Sequence, residues 1–412
     1  MLAETELPSL SGAPAQGLPG GGFRSELVDP ARLSLMQAEW RRLFEGACDP
    51  NPFLGPDFFL PLVAEVAGDR LTGVMVLRTD EAPRRSEFAA LLPYRIASKF
   101  PLTSLPVVEA FAHPFVSDGT PLLRRDHVKT IGAAFIAALK DRFPGHILLI
   151  DHLRLESTTA AALRAGAAAR GFPVRLVESH QRAALRAGAS SETYLRERVS
   201  GKKLRELRRC EKRLREQGRV EMRTLVGDEA ASGLQEFLRL EASGWKGRRG
   251  TALAATARTR AFAEAALAGP AAASVAVDVL RLDGVTIAAA VHLIAGPNAA
   301  AFKCAYDEAW SRMSPGVLLD LHTLRFALDE GRFALMDSCA VPGHPVEALW
   351  CDRVTIGRIA IGLGAPCYAH ALDAFVRRQQ TVSAWRADAK ALMKRLDRLG
   401  TELRSGGYFR KS

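Results

Sequence analysis

The segment of residues 275–337 most constrains the fold, because it alternates strand-like and helix-like stretches with clear boundaries. Two apolar runs, 275–282 and 287–295, are joined through Asp283-Gly284, a dipeptide that favours a tight β-hairpin. Three further elements are predicted: a strand at 299–305, a helix at 317–330 and a strand at 333–337. Strands mixed with helices in this order indicate a sheet covered by helices.

The upstream part of the chain has a similar order of elements. It predicts a helix at 30–45, strands at 71–78, 88–96 and 147–151, and helices at 126–143 and 158–170. The strand ending ILLID in the first part parallels the strand ending FALMD in the second. Since 412 residues exceed one ordinary core, we predict an α/β (α+β) protein of two tandem domains. Each would be a mixed, mostly antiparallel sheet flanked by helices.

The composition suggests boundaries for these domains. Residues 1–22, rich in Gly and Pro, are predicted to be a disordered tail. The two domains are predicted at 23–180 and 190–370, with a junction at 177–191, and a terminal helix is predicted within 371–412. That helix is a candidate for packing or for self-association into a homodimer.

The charge of the chain is concentrated in one predicted helix at 191–218. The formal net charge is +11, and the segment 196–219 alone holds 11 Lys or Arg against 4 Glu, a net of +7. Such a helix is commonly a solvated face, but it can also attract a polyanion such as a nucleotide phosphate, an RNA or an acidic membrane surface.

Several function classes are disfavoured by what the sequence lacks. No apolar run reaches the roughly 20 residues of a membrane span, and the N-terminus lacks a secretory pattern. Six scattered cysteines without CxxC spacing predict free thiols in a soluble, cytoplasmic protein without a metal site. No GxSxG, Walker A or HExxH motif is present.

The stretch KCAYDEAWSRMSPGVLL joins a predicted strand to a predicted helix. Ser314 can cap that helix, Pro315 suits its first turn, and Gly316 leaves room for a ligand. A helix N-terminus favours an anion such as a pyrophosphate, although a plain helix cap explains the same residues. The candidate cofactor-binding residues are Lys303, Ser314, Gly316, Val317 and Leu318.

The stretch EASGWKGRRGT places three glycines, one tryptophan and three basic residues in a predicted loop. Exposed Trp and Arg side chains suit ligand stacking and anion binding. A solvated loop anchored by Trp245 is the alternative. The candidate substrate-binding residues are Glu241, Trp245, Lys246 and Arg248.

Titratable side chains at strand ends are the candidates for proton transfer. We take Tyr306, Asp307 and Asp337 as candidate catalytic residues, each of which could equally be structural. His292 lies among apolar residues and is interpreted as a core histidine, whereas His344 lies in a predicted loop.

Four of these pieces, in order, resemble a known family: KKxRELRR from Lys202, LExSGWKGRxGTA from Leu240, LDGxxIA from Leu282, and KxAYDE with SPGxLL from Lys303. The series, within about residues 190–365, resembles the CelD-like acetyltransferases. These are GNAT-superfamily proteins associated with bacterial cellulose and exopolysaccharide biosynthesis.

The resemblance implies two tandem GNAT-like domains and an acyltransferase that uses acetyl-CoA or another acyl-CoA as donor, with no metal. The implied acceptor is a sugar, a polysaccharide precursor or an amine. It also implies kinship with Fem-type transferases, which use aminoacyl-tRNA, so tRNA is an alternative partner. A non-catalytic partner of a polysaccharide synthase is the third alternative. We expect no DNA partner.

Overall fold

A computed structural model describes residues 22–79, 87–97, 105–268, 274–364, 368–385 and 388. These residues form a large, mostly antiparallel sheet flanked by helices, which confirms the predicted fold class. The strands are β1 (Phe23–Val28), β2 (Gly73–Thr79), β3 (Phe88–Ala97), β4 (Val107–Ala110), β5 (Leu122–Leu123), β6 (Ile147–Arg154), β7 (Val174–Arg186), β8 (Val220–Val226), β9 (Val275–Leu282), β10 (Val285–Ala295), β11 (Asn298–Tyr306), β12 (Leu335–Asp337) and β13 (Asp352–Gly362).

The α-helices lie between these strands or flank them. They are α1 (Pro30–Ser34), α2 (Gln37–Glu45), α3 (Pro56–Leu62), α4 (Val128–Arg142), α5 (Thr158–Ala168), α6 (Ser191–Arg198), α7 (Gly201–Arg215), α8 (Asp228–Ser243), α9 (Trp245–Arg248), α10 (Ala257–Leu267) and α11 (Pro315–Asp329). A terminal helix, α12, is described over residues 369–385.

The sheet consists of two similar halves placed end to end. Its strand order is β1-β2-β3-β4-β6-β13-β7-β12-β11-β10-β9-β8, and β5 pairs with β3 beside this path. In the first half β4 runs parallel to β6, and in the second half β11 runs parallel to β12. The helices α4 and α11 make the two corresponding crossovers, which is the route that parallel strands require.

The two halves exchange their last strands. β7 follows the first half in sequence yet pairs with β12 of the second half. β13 follows the second half yet pairs with β6 of the first half. β7 and β13 also pair with each other, from Val174↔Ile361 to Ala184↔Asp352, so they form the centre of a single continuous sheet.

The helices pack on both faces of the sheet and form separate apolar cores there. On one face, α1–α3 share a core with α8 and α10 that crosses from one half to the other. Phe58 of α3 meets Phe262 of α10 with ring centroids 5.4 Å apart, and it meets Phe302 of β11 at 5.6 Å. The opposite face carries two separate cores, one under α4 and α5 and one under α6, α7 and α11.

The segment 177–191, predicted as a junction, is largely the long strand β7, stabilised by partners distant in sequence. Three local predictions of secondary structure are wrong. The single predicted basic helix is two helices, because Val199 is extended and Ser200 caps a new helix by accepting the N–H of Lys203. The predicted loop after α8 contains the helical turn α9. The predicted helix at 30–45 is likewise divided, into α1 and α2.

Some predictions concern residues outside the described ranges. The predicted tail at 1–22 lies there except for Gly22, as does most of the predicted terminal helix beyond residue 385. The proposed domain boundaries remain a prediction. No helix among the described residues is long and apolar enough to cross a bilayer.

Candidate functional site

The two parallel strands of the second half diverge after a short contact. β11 pairs with β12 only from Asn298↔Leu335 to Ala300↔Asp337. Beyond Ala300, β11 continues to Tyr306 along β10, with a bulge that leaves Phe302 without a partner in the register. A gap therefore opens beside the last residues of β11.

The backbone of β11 presents polar groups to this gap. The N–H of Asp307 donates to the carbonyl of Ile287 in β10 at 2.8 Å. Since alternate residues of an antiparallel pair face the same neighbour, Lys303 and Ala305 also direct their backbone groups to β10. Cys304 and Tyr306 direct theirs into the gap. Consistent with this, the Cys304 carbonyl accepts a hydrogen bond from Lys246 Nζ at 2.6 Å.

A cleft of about 310 Å³ occupies the gap. It brings together four of the predicted residues, Glu241, Trp245, Lys246 and Tyr306, together with the loop residue His344. The remaining lining residues are Leu240, Gly244, Cys304 and Ala305. Residues from distant parts of the sequence thus converge where β11 leaves β12.

An ion pair at the end of α8 holds one wall of the cleft. Glu241 is 1% exposed, and its carboxylate accepts the Leu253 N–H at 2.7 Å and Lys246 Nζ at 3.2 Å. The buried carboxylate thereby ties α8 to the start of α9 and to the following turn. Lys246 in turn contacts β11, so one ammonium group connects the wall to the strand edge.

The helical turn α9 presents an aromatic ring to solvent beside the cleft. Trp245 is 42% exposed, and the guanidinium of Arg249 lies 5.3 Å from its ring centroid. Glu308 fixes this turn by accepting the Trp245 N–H at 2.7 Å and by pairing with Arg248. Both contacts lower the pKa of Glu308. A Cβ at Gly247 would lie 1.7 Å from the carbonyl oxygen of Ala242, so only glycine permits this close turn.

The N-terminus of α11 lies against Tyr306. A Cβ built on Gly316 would contact Tyr306 Cδ1 at 3.4 Å. The prediction that the Ser314 side chain caps the helix is wrong. The backbone of Ser314 is left-handed, with φ 51° and ψ 50°, and its side chain makes no capping hydrogen bond. The N–H groups of Val317 and Leu318 both donate to the carbonyl of Ser314 at 3.0 Å, and Leu318 is buried.

Lys303 is not brought to this helix N-terminus. Its ammonium group lies on the α8 side of the sheet, 4.0 Å from Glu241 Oε1 and 5.0 Å from the ring centroid of Phe115. Burial lowers its pKa, against the opposing effect of Glu241. The structure therefore separates Lys303 from the other predicted cofactor-binding residues.

The three predicted catalytic residues occupy different environments. Tyr306 is 38% exposed and lines the cleft. Asp307 begins a 3-10 helix, and its carboxylate accepts the Ala309 N–H at 2.9 Å. Asp337 is buried 3.5 Å from Arg182 and accepts the Cys339 N–H, and burial raises its pKa. Asp337 does not line the cleft, so the structure does not bring the three together.

Two residues of the site escaped the sequence interpretation. Cys304 is accessible to solvent. Desolvation of its thiol raises the thiol pKa, and the negative charge of Asp320 raises it further. Asp320, in the second turn of α11, is half-buried, and its burial raises its pKa to about 7. An acidic residue in an amphipathic helix gives no sequence signal that separates it from a solvated side chain.

A polar network lies under the same part of the sheet. His292 is buried, as predicted, and its Nε2 lies 2.8 Å from Asp278 Oδ2. Asp278 also accepts hydrogen bonds from Thr323 at 2.5 Å and Thr224 at 2.6 Å. Burial acts to raise the pKa of Asp278, but His292 and its other polar neighbours hold it below the ordinary value. Among the side chains that the structure describes, no cluster of three His, Cys, Asp or Glu residues could hold a metal ion.

Comparison with known proteins agrees with this geometry. The acetyltransferase (GNAT) domain family matches residues 201–341, which include α7–α11, β8–β12 and most of the cleft lining. No curated protein sequence matches the chain.

Solved structures resemble the chain over most of its length. A crystal structure of FemX is 13% identical, covers 81% of this chain and 97% of its own, and has a TM-score of 0.50. A tandem GNAT protein from the clavulanic acid biosynthesis pathway is 11% identical, with 84% and 99% covered and a TM-score of 0.39. At 13% identity the likeness to FemX is one of fold. Residues 201–341, which match the acetyltransferase (GNAT) domain family, form the half of the sheet that contains the open cleft.

Proposed function

We propose that this protein is an acyltransferase that takes its acyl group from a coenzyme A thioester and transfers it directly to an amine or a hydroxyl group. The observation that carries the proposal is the cleft between β11 and β12, which opens beside the N-terminus of α11 within the acetyltransferase domain. A peptide-like donor arm can bind a free strand edge, and a pyrophosphate suits a helix N-terminus.

The residues present fit such a donor. Gly316 leaves the first turn of α11 without a side chain, so phosphate oxygens can approach the helix. Lys246 and Arg248 add positive charge to the opposite wall, and Trp245 offers a ring for stacking. Backbone N–H groups of Cys304 and Tyr306 face the gap, where they can stabilise the negative charge that develops on a thioester oxygen.

The location of Tyr306 supports a role for it in the proposed reaction. Its exposed phenol lies in the cleft beside the first turn of α11. We assign it the transfer of a proton to the departing thiolate, which a phenol can perform at hydrogen-bond distance. The acceptor follows from the sequence resemblance to the CelD-like proteins: a sugar, a polysaccharide precursor or an amine.

The decisive experiment is calorimetric titration of acetyl-CoA, with free CoA as a second ligand, into the wild-type protein and two Gly316 variants. Gly316→Asp places a carboxylate at the helix N-terminus, so we expect acetyl-CoA binding to weaken at least about 100-fold through charge repulsion. Gly316→Ala is the matched control, because its Cβ makes only an ordinary contact with Tyr306. Equal affinities of the wild type and Gly316→Asp would refute the assigned pyrophosphate site.

A second candidate function is favoured by the surface of α7. Within the described part of the chain, six basic side chains of this helix form no ion pair: Lys202, Arg205, Arg208, Arg209, Lys212 and Arg213. A helix of this charge suits a nucleic-acid backbone. The alternative function is therefore an aminoacyl-tRNA-dependent transferase.

Binding of tRNA at several salt concentrations tests this alternative. If α7 contacts the phosphates, binding should weaken steeply with salt, and replacing Lys202, Lys203, Arg208 and Arg209 with Gln should reduce both the affinity and the salt slope. Lys129→Gln with Lys140→Gln on α4 is the control for loss of positive charge elsewhere. Binding that is unchanged in the α7 variant would exclude this helix as the tRNA contact.

A further inference from the structure

The packing of α11 on β11 places Asp320 near Cys304, a residue that lines the cleft. Gly316 lies over Tyr306, and Asp320 follows Gly316 by four residues, about 6 Å along a helix. Cys304 precedes Tyr306 by two residues, about 7 Å along a strand. Because α11 runs back along β11 toward the start of β12, these two steps lead in the same direction. The charge of Asp320 accordingly raises the pKa of the Cys304 thiol.

The carboxylate of Asp320 has no polar partner among the described residues. Its backbone carbonyl accepts the Trp350 indole N–H at 3.2 Å, which fixes this turn of α11 against the loop that carries His344. No hydrogen bond or ion pair to its side chain occurs among the residues that the structure describes. By contrast, Asp329 on the same helix binds the N–H and the hydroxyl of Ser191 at 2.8 and 2.7 Å.

Groups from two strands affect the pKa of Asp320. Burial raises its pKa to about 7; His292 on β10 opposes this rise, and Asp278 on β9 adds to it. On β11, the Cys304 thiol keeps its proton at neutral pH because its pKa is raised. Asp278 itself is held ionised by His292. Two neighbouring carboxyl groups with separated pKa values are a common arrangement for proton transfer.

We infer that Asp320 is the proton acceptor of the transfer reaction, a role that rests on the proposed function. The nitrogen or oxygen of the acceptor attacks the thioester carbonyl carbon, forming a C–N or C–O bond. The C–S bond breaks, the acceptor's proton goes to the Asp320 carboxylate, and the thiolate takes a proton from Tyr306. Exchange with solvent then removes the proton from Asp320 and returns one to the Tyr306 phenolate. The sum is acyl-CoA plus acceptor giving acylated acceptor plus CoA.

The orphan nitrogen of His292 supports this role. Its Nδ1 is buried and has no hydrogen-bond partner among the described residues, while its Nε2 is bound to Asp278. The charge of His292 also acts on Asp320, so His292 connects the Asp278 network with Asp320. A proton taken up by Asp320 is received next to a preformed polar network rather than in an apolar wall.

The test compares Asp320→Asn with Asp329→Asn, an equivalent change on the same helix. Calorimetry measures acetyl-CoA binding, and release of free thiol measures transfer, with glucosamine as the acceptor probe and water alone as a second acceptor. We expect Asp320→Asn to bind acetyl-CoA within about twofold of the wild type and to lower kcat at least about 100-fold. Asp329→Asn should retain both properties.

A pH measurement separates proton transfer from a merely structural role. The wild-type rate should fall below a midpoint near pH 7, and this limb should be absent from the residual activity of Asp320→Asn. In protein labelled with ¹³Cγ-aspartate, one resonance of the acetyl-CoA complex should titrate near pH 7 and be missing in Asp320→Asn.

The outcomes are distinguishable. Absence of acetyl-CoA binding by the folded wild type would overturn the proposed function and this inference together. Binding and transfer with an unchanged rate and pH profile in Asp320→Asn would overturn only the inference. An Asp320 resonance that titrates below pH 5 in the complex would overturn it as well, whichever acceptor is used.

Discussion

The two halves of the sheet are built on one plan but differ where their parallel strands separate. In the second half, the space beyond the β11–β12 contact is an open cleft. In the first half, the segment that follows β4 lies against the corresponding end of β6: the Gly119 N–H donates to the His152 carbonyl at 3.0 Å, and the Asn51 side chain binds the carbonyls of Asp118 and Thr120. The same fold thus contains a filled position in its first half and an open cleft in its second half.

The crossover helices of the two halves likewise share a backbone geometry but differ in their side chains. Both α4 and α11 begin after a residue in the left-handed conformation, His127 with φ 56° and Ser314 with φ 51°, and neither residue caps its helix with a side chain. The first turn of α11 contains Gly316, whereas the first turn of α4 contains Val128 and Lys129. Equivalent backbones therefore present different surfaces to a ligand.

The largest expected effect comes from disturbing the filled position. In Gly119→Ala, the added Cβ would lie 2.1 Å from the carbonyl oxygen of Asp151, so the loop or β6 must move. We expect the free energy of unfolding to fall by about 3 kcal/mol, measured by urea denaturation. Gly201→Ala is the control, because its Cβ meets only the flexible end of Arg205. Equal stability of the two variants would contradict a tightly packed loop.

A smaller loss is expected at the wall of the open cleft. Lys246→Met removes the ammonium group from Glu241, which keeps the Leu253 N–H and lies 4.0 Å from Lys303. We expect a loss of about 2 kcal/mol in urea denaturation, because a buried carboxylate loses a partner. The exposed pair of Arg248 with Glu308 provides the comparison, and Arg248→Met should cost less, because solvent screens an exposed ion pair. The opposite ranking would show that the cleft wall does not depend on Glu241.

Thiol chemistry can sharpen the contrast between open and filled positions. Cys304 is exposed in the cleft, whereas Cys339 is packed near Asp337 and Arg182, and burial raises its pKa well above the ordinary value. We expect iodoacetamide to modify Cys304 at least about tenfold faster, followed by peptide mass spectrometry. Acetyl-CoA should protect Cys304 alone. Equal labelling rates would indicate that the cleft is closed in solution.

The smallest expected effect is a pH dependence in the first half. Burial lowers the pKa of His113 from 6.5 to about 4. Between these values the unfolded chain binds a proton that the folded protein excludes, so stability should fall as the pH is lowered from 7 to 4. His113→Asn should flatten this dependence in urea unfolding, while His370→Asn on the exposed face of α12 should not. An unchanged slope in His113→Asn would assign the dependence to other groups.

The sequence predicted those parts of the fold that depend on local pattern. The hairpin at Asp283-Gly284 forms with positive φ at both residues, and β9, β10 and β11 lie close to their predicted bounds. β7 was not recognised, because VRLVESHQRAALR exposes part of its length and owes its stability to β13, more than 150 residues away in sequence. Long-range pairing of this kind leaves no local signature.

The site was predictable only in part, because residue type alone does not show which side chains converge in the fold. Glu241, Trp245, Lys246 and Tyr306 stand out by residue type, and they do converge. Lys303 and Asp337 stand out equally, yet the pleat of β11 and the ion pair with Arg182 direct them elsewhere. Asp320 was missed because its proposed role depends on its surroundings and not on a sequence motif. These are its burial in α11, the charges of His292 on β10 and Asp278 on β9, and the lack of a side-chain partner among the described residues.

The exchange of β7 and β13 has a consequence for biosynthesis. When the ribosome has completed the first half, the outer edge of β6 still awaits a strand that will be translated about 200 residues later, as the pairing of Arg154 with Ile356 shows. Closing so long a loop is slow, and an unpaired edge invites association with other chains. The nascent first half is therefore expected to mature only after β13 emerges, which makes this interval the period when the chain most needs chaperones.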